Sequence, residues 1–118
     1  MRLVKFDPRR VNFLEVGTQR LFLLSADGGA TFLVNAVCPH RGGPLHLGRL
    51  DVSAGVIHCP WHCRRISLRR LEREALPLVL RRDAAVAILP EDAATPIILR
   101  QRAILARPGP DEASPSAG

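Results

Sequence analysis

The sequence predicts an all-β domain, and three observations carry that expectation. Short runs rich in Val, Leu, Ile and Phe recur with turn residues between them, at Asp7-Pro8, Gly17-Thr18, Asp27-Gly28-Gly29, Ala54-Gly55 and Asp83-Ala84. That punctuation belongs to strands and hairpins. Two cysteine-proline knuckles, Cys38-Pro39-His40 and Cys59-Pro60-Trp61-His62, each follow such a run directly. A metal held there would add its binding free energy to that of a small core. Finally, 118 residues suffice for one domain, since typical domains run about 100–150 residues.

Residues 2–6 and 10–16 are expected to be short strands around Asp7-Pro8, with Val11 and Phe13 turned inward and Leu14 a further inward candidate. Residues 19–25 and 30–37 form a hairpin across Asp27-Gly28-Gly29, where glycine supplies the positive φ of a tight turn. That hairpin delivers Cys38 to the surface. Residues 49–53 and 56–58 make a second hairpin across Ala54-Gly55, which carries the second knuckle back beside the first. His58 should point away from Cys59 by strand alternation. Farther on, Leu76, Leu78 and Leu80 alternate with Pro77, Val79 and Arg81, the pattern of a half-buried edge strand. The stretch 96–106, PIILRQRAILA, alternates apolar and basic residues and suits either an extra strand or a docking helix. Residues 108–118 are rich in Pro, Gly, Ser and Ala with acids, the composition of a disordered tail.

The hydrophobic fraction of 47% supports a modest core, but aromatics make up only 4% and Tyr is absent, so aliphatic side chains must fill it. The formal net charge is +6. Arginines at 9, 10, 64, 65, 69, 70, 81, 82, 100 and 102 spread it over several faces. Such a field suits an acidic surface on a protein partner. Nucleic acid is disfavoured, because no reading motif or stacking aromatic accompanies the arginines. The first ten residues lack the apolar core of a secretory signal, and no window approaches the roughly 18 apolar residues of a membrane span. With an odd count of three cysteines, the expected location is the reducing cytoplasm.

The chemistry is concentrated in residues 38–63, CPHRGGPLHLGRLDVSAGVIHCPWHC, which hold all three cysteines and all four histidines. Thiolate and imidazole donors together suit zinc or an iron–sulfur centre, and suit magnesium or calcium badly. Zinc modules usually pair two cysteines in one turn and two histidines in another. Here each knuckle mixes one of each, which fits a [2Fe–2S] centre with unlike irons.

The C-x-H knuckle, the Arg41-Gly42-Gly43-Pro44-Leu45 run and the CPWH knuckle at 59–62 resemble the Rieske iron–sulfur family. The likeness extends over about residues 20–90. It implies a sandwich of antiparallel sheets with a small cluster-binding subdomain made of two hairpin loops. On that plan residues 1–92 are the Rieske-like domain, about 37–66 its cluster-binding part, and 93–118 a C-terminal extension ending in the tail. Residues 65–70 and 76–88 resemble the family's closing strands, joined by 71–75. The resemblance also implies a [2Fe–2S] cofactor with Cys38 and Cys59 on one iron and His40 and His62 on the other. Leu45 is expected to shield it from water, Gly42 and Gly43 to bring backbone amides close to sulfide, and Trp61 to pack and shield.

Two features depart from the family. Cys63 stands where relatives carry glycine, and high-potential members have a disulfide whose positions are Gly43 and Trp61 here. A self-contained oxygenase would need a second iron held by two histidines and a carboxylate, and only His46 and His58 remain. The implied function is a one-electron carrier like Rieske-type ferredoxins, moving electrons from a reductase to an oxygenase or other redox enzyme. The alternatives are an electron-transfer subunit fixed in a larger complex, and a zinc-stabilised or metal-free interaction module.

Overall fold

The computed structural model describes residues 1–25, 31–38, 42–61, 64–90 and 95–107. Among these, ten strands form three antiparallel sheets. The central sheet has the order β10-β2-β3-β4, from Ile97–Arg100, Phe13–Val16, Gln19–Ser25 and Thr31–Asn35. A second sheet, β1-β9-β8, comprises Arg2–Phe6, Ala85–Leu89 and Leu78–Leu80, and a small third sheet, β5-β6-β7, comprises Arg49–Asp51, Val56–His58 and Arg65–Ser67.

Alternation along the central strands explains the layering. Leu14, Val16, Leu21 and Leu33 face one side and meet Phe6, Ala85, Ala87 and Leu89 of the second sheet. Their neighbours Phe13, Phe22, Leu24 and Val34 face the other side and meet Leu50, Ile57 and Ile66 of the small sheet. Successive side chains of a strand point to opposite faces, so a sheet covered on both faces needs apolar residues at consecutive positions. Phe13 with Leu14, Leu21 with Phe22 and Leu33 with Val34 meet that need, all at 1% exposure or less. Register reinforces it, since Phe13 pairs with Phe22 and Phe22 with Val34.

Two stretches differ from expectation. Residues 65–70 do not continue as a strand: β7 ends at Ser67 and Leu68–Arg73 form a short helix, α1. The Ser67 side chain caps it by accepting from Arg70 N–H, Leu68 and Leu71 lie three apart on its buried face, and Arg70 pairs with Glu74 at 3.2 Å. Capping, i,i+3 burial and an i,i+4 ion pair together outweigh strand propensity here. Leu80, expected to alternate inward, is 44% exposed, while Leu76 and Leu78 are half-buried.

Residues 96–106 resolve in favour of a strand. β10 pairs antiparallel with β2, and the chain then runs back until Leu105 and Ala106 N–H donate to the His46 carbonyl at 2.9 and 3.1 Å. Ala106 is fully buried in the cluster that contains both Cys38 and Cys59. The Asp27-Gly28-Gly29 turn and the tail from 108 onward lie outside the described residues.

Candidate metal centre

Cys38 leaves the end of β4 and Cys59 leaves the end of β6, and the two loops close in the same way. Cys38 N–H donates to the Gly43 carbonyl at 2.8 Å, and Cys59 N–H donates to the Arg64 carbonyl at 2.8 Å. In both, the cysteine amide reaches the residue five positions on. The first loop is tightened further by Gly42 N–H to the Cys38 carbonyl, 3.0 Å, and by a bridge between Val37 and Pro44. By sequence, His40 falls between Cys38 and its closing residue, and His62 between Cys59 and its closing residue. The expected roles of His40, His62, Pro39 and Cys63 lie outside the described residues.

The loops press against each other through glycine. A Cβ placed on Gly43 would lie 2.8 Å from Cys59 Sγ and 3.3 Å from Trp61 Cβ. A Cβ on Gly48 would lie 2.5 Å from the His58 carbonyl oxygen, so the exit of the first loop rests on the strand that delivers Cys59. Gly43 therefore does more than the expected close approach of an amide, because it seats one loop on the other loop's sulfur. The Cβ separation at 43 and 61 is near the roughly 3.8 Å of a disulfide. Glycine and tryptophan occupy the two positions, so that bridge cannot form here.

Cys38 and Cys59 are 2% and 1% exposed, unbridged, and share one apolar cluster with Leu45, which is fully buried. Leu45 is thus buried with the thiols, where the sequence reading put it. Trp61 is 61% exposed, more open than the packed shield expected, and its Cβ and Cγ lie along Gly43. Across the small sheet Arg49 pairs with His58 and His58 with Arg65. Cross-strand partners share a face, so these three side chains stand in a row on the face of the small sheet opposite buried Ile57. A recess of about 430 Å³ opens there, lined by Leu47, Arg49, His58, Cys59 and Leu105 among others.

His46 is set apart from this chemistry. Its ring meets Phe13 edge-on at 5.0 Å and Phe22 at 6.1 Å. Burial holds it below the ordinary imidazole pKa; the Ala36 carbonyl opposes that, and the Arg102 and Arg20 charges add to it. Its Nδ1 is buried without a hydrogen-bond partner.

The Rieske [2Fe-2S] domain model matches residues 2–78. The chain belongs to that family. No curated protein and no solved structure matches the chain. The all-β architecture of antiparallel sheets agrees with the Rieske fold, the cofactor is a [2Fe–2S] cluster, and the role is Rieske-type electron transfer involving other proteins. The described residues fit the group. Two buried, unbridged thiols sit at the bases of matched loops in van der Waals contact, and the sequence places one imidazole in each loop. Among the described residues Cys38 and Cys59 are the available thiols, and no group of three His, Cys, Asp or Glu side chains gathers elsewhere. No helix among them is long and apolar enough to cross a membrane.

Proposed function

We propose that this chain is a one-electron carrier of the ferredoxin kind, taking electrons from a reductase and delivering them to an oxygenase or another redox enzyme. In this reading Cys38 and Cys59 hold one iron, and His40 and His62 hold the other. The cluster supplies reversible uptake of a single electron, and unlike ligands on the two irons favour that uptake. The protein's contribution is to fix the thiols by the two amide-to-carbonyl closures, keep water from them with Leu45, and leave a docking face beside Cys59.

The observation that carries the proposal is that face. Arg49, His58 and Arg65 align across the small sheet, and Leu47, 37% exposed, lines the same recess as Arg49 and His58. A cationic rim with an apolar centre suits transient docking to an acidic protein surface. His46, the other spare histidine, packs against Phe13 and Phe22 and is no iron ligand in this reading. Cytoplasmic residence belongs to the same proposal, supported by the odd count of three cysteines.

A subunit fixed in a larger complex is the second reading, favoured by β10, an edge strand with Ile98 46% and Leu99 40% exposed. Anaerobically purified protein decides between them. A carrier elutes as a stable monomer, gives a rhombic reduced-state EPR signal and titrates reversibly below about +200 mV, within the lower part of the family range. Aggregation without a partner would favour the subunit, and a colourless zinc protein would overturn both.

A further inference from the structure

A groove of about 660 Å³ lies on the side of the domain where the C-terminal run crosses β3, β4 and the end of β8. Leu23, Leu80 and Ile104 give it apolar lining, and Arg81, Arg102 and Arg107 line it as well. No Asp or Glu is among the lining residues, and none of the three guanidiniums has a carboxylate partner among the described residues. Four arginines elsewhere find carboxylates among the described residues: Arg9 and Arg10 at Asp7, Arg70 at Glu74, Arg100 at Glu15. Three guanidiniums thus line one groove.

Arg102 is also held in place. Its guanidinium lies 5.1 Å over the Phe13 ring, and its main chain is fixed separately, the backbone N–H donating to Asn12 Oδ1 and the backbone carbonyl accepting from Asn12 Nδ2, both at 2.8 Å. A long cationic side chain normally loses much rotamer entropy on binding. One restrained beforehand loses less. Leu80, 44% exposed at the rim, leaves apolar surface in water for a ligand to cover.

We infer that this groove binds an amphipathic organic anion, a carboxylate or sulfonate carried on an apolar body. Its volume falls in the roughly 300–1,000 Å³ range of small-molecule sites, too large for an inorganic anion to fill. The apolar lining takes the body, and the guanidiniums take the charged end through charge-assisted hydrogen bonds. The site is separate from the cysteine loops, although Leu105 lines both the groove and the recess beside Cys59.

Calorimetric titration of the intact, cluster-loaded protein with octanoate tests it, with octanol and inorganic phosphate as separate arms. Octanoate should bind one per chain, and the other two should bind at least about tenfold more weakly, since each lacks one half of the recognition. Arg81→Glu combined with Arg107→Glu should weaken octanoate about tenfold or more. Arg69→Glu combined with Arg73→Glu, the same charge change on exposed α1 positions outside the groove, should leave it unchanged. Equal loss in both double variants, octanol binding as tightly as octanoate, or no octanoate binding at all would overturn the inference. Unchanged melting temperatures show that the variants fold, and the visible spectrum reports the cluster independently of the groove.

Discussion

Replacing Gly43 with alanine tests the contact that joins the two loops. The new methyl would sit 2.8 Å from Cys59 Sγ and 3.2 Å from Trp61 Cγ, against an optimum of roughly 3.5–4.0 Å for carbon contacts. Trp61 is 61% exposed and can swing away. Cys59 is 1% exposed, and its amide is tied to Arg64, so the strain falls on the sulfur. Overpacking of this kind costs about 1–3 kcal/mol. Taken from cluster binding, that is a loss of about fivefold to a hundredfold in affinity, at 1.4 kcal/mol per decade. Gly42→Ala is the matched control. Gly42 has φ 74° but its nearest neighbour would be Val37 Cγ1 at 3.8 Å, so the change costs roughly 1–2 kcal/mol of left-handed backbone strain and leaves Cys59 alone. The assay is iron and acid-labile sulfide per chain, with the visible spectrum and melting temperature. Gly43→Ala should lose cluster or shift its spectrum, and Gly42→Ala should melt several degrees lower with full cluster. Full cluster and an unaltered spectrum in Gly43→Ala would refute the claim that glycine seats Cys59.

Three further expectations concern stability. Ser67→Ala removes the side-chain cap of α1; because the bond to Arg70 N–H is long at 3.4 Å, the cost should fall near the low end of the roughly 0.5–2 kcal/mol range, read as a small drop in melting temperature. For His46, burial lowers the folded-state pKa below 6.5, so the unfolded chain takes up the proton first as pH falls. Stability is therefore full above pH 6.5 and declines below it; His46→Phe should abolish that part of the decline between pH 7 and 5, and an identical profile would count against the buried neutral ring. Glu15 is lowered from 4.5, first by the Arg100 hydrogen bond, with the Arg100, Arg102 and Arg20 charges acting the same way against desolvation. Its contribution is present above pH 4.5 and is lost as pH falls through the lowered value, so Glu15→Gln should show a shallower acid limb in thermal unfolding.

The sequence made the strands and the two cysteine loops legible because both are local signals. Hairpins around 17–18 and 54–55, and two cysteine-proline knuckles, can be read within a few residues. The three-layer arrangement was only half visible. Phe13 read as inward with Leu14 a further candidate, and the structure shows that both are inward, toward different layers. Helix α1 carried its own marks in Ser67, Leu68, Leu71, Arg70 and Glu74, but six residues are too few for periodicity to overrule a strand. The glycine contacts at 43 and 48 could not be read at all, since they depend on which loop lies across which, a long-range property. The same holds for the groove, whose arginines come from positions 81, 102 and 107.

The layering gives those loops their stiffness. Phe22 and Val34 of the central sheet lie in the same buried cluster as Cys38 and Cys59, so the thiols rest on the strands that also carry the second sheet's core on their opposite face. Sites built on such elements keep their geometry better than sites on free loops, and interiors at protein packing density resist local displacement. A centre that changes charge by one electron works best where its ligands move little between the two states. The small sheet that delivers Cys59 also carries Arg49, His58 and Arg65 in cross-strand register, so the stiffness that holds the thiol holds this row as well.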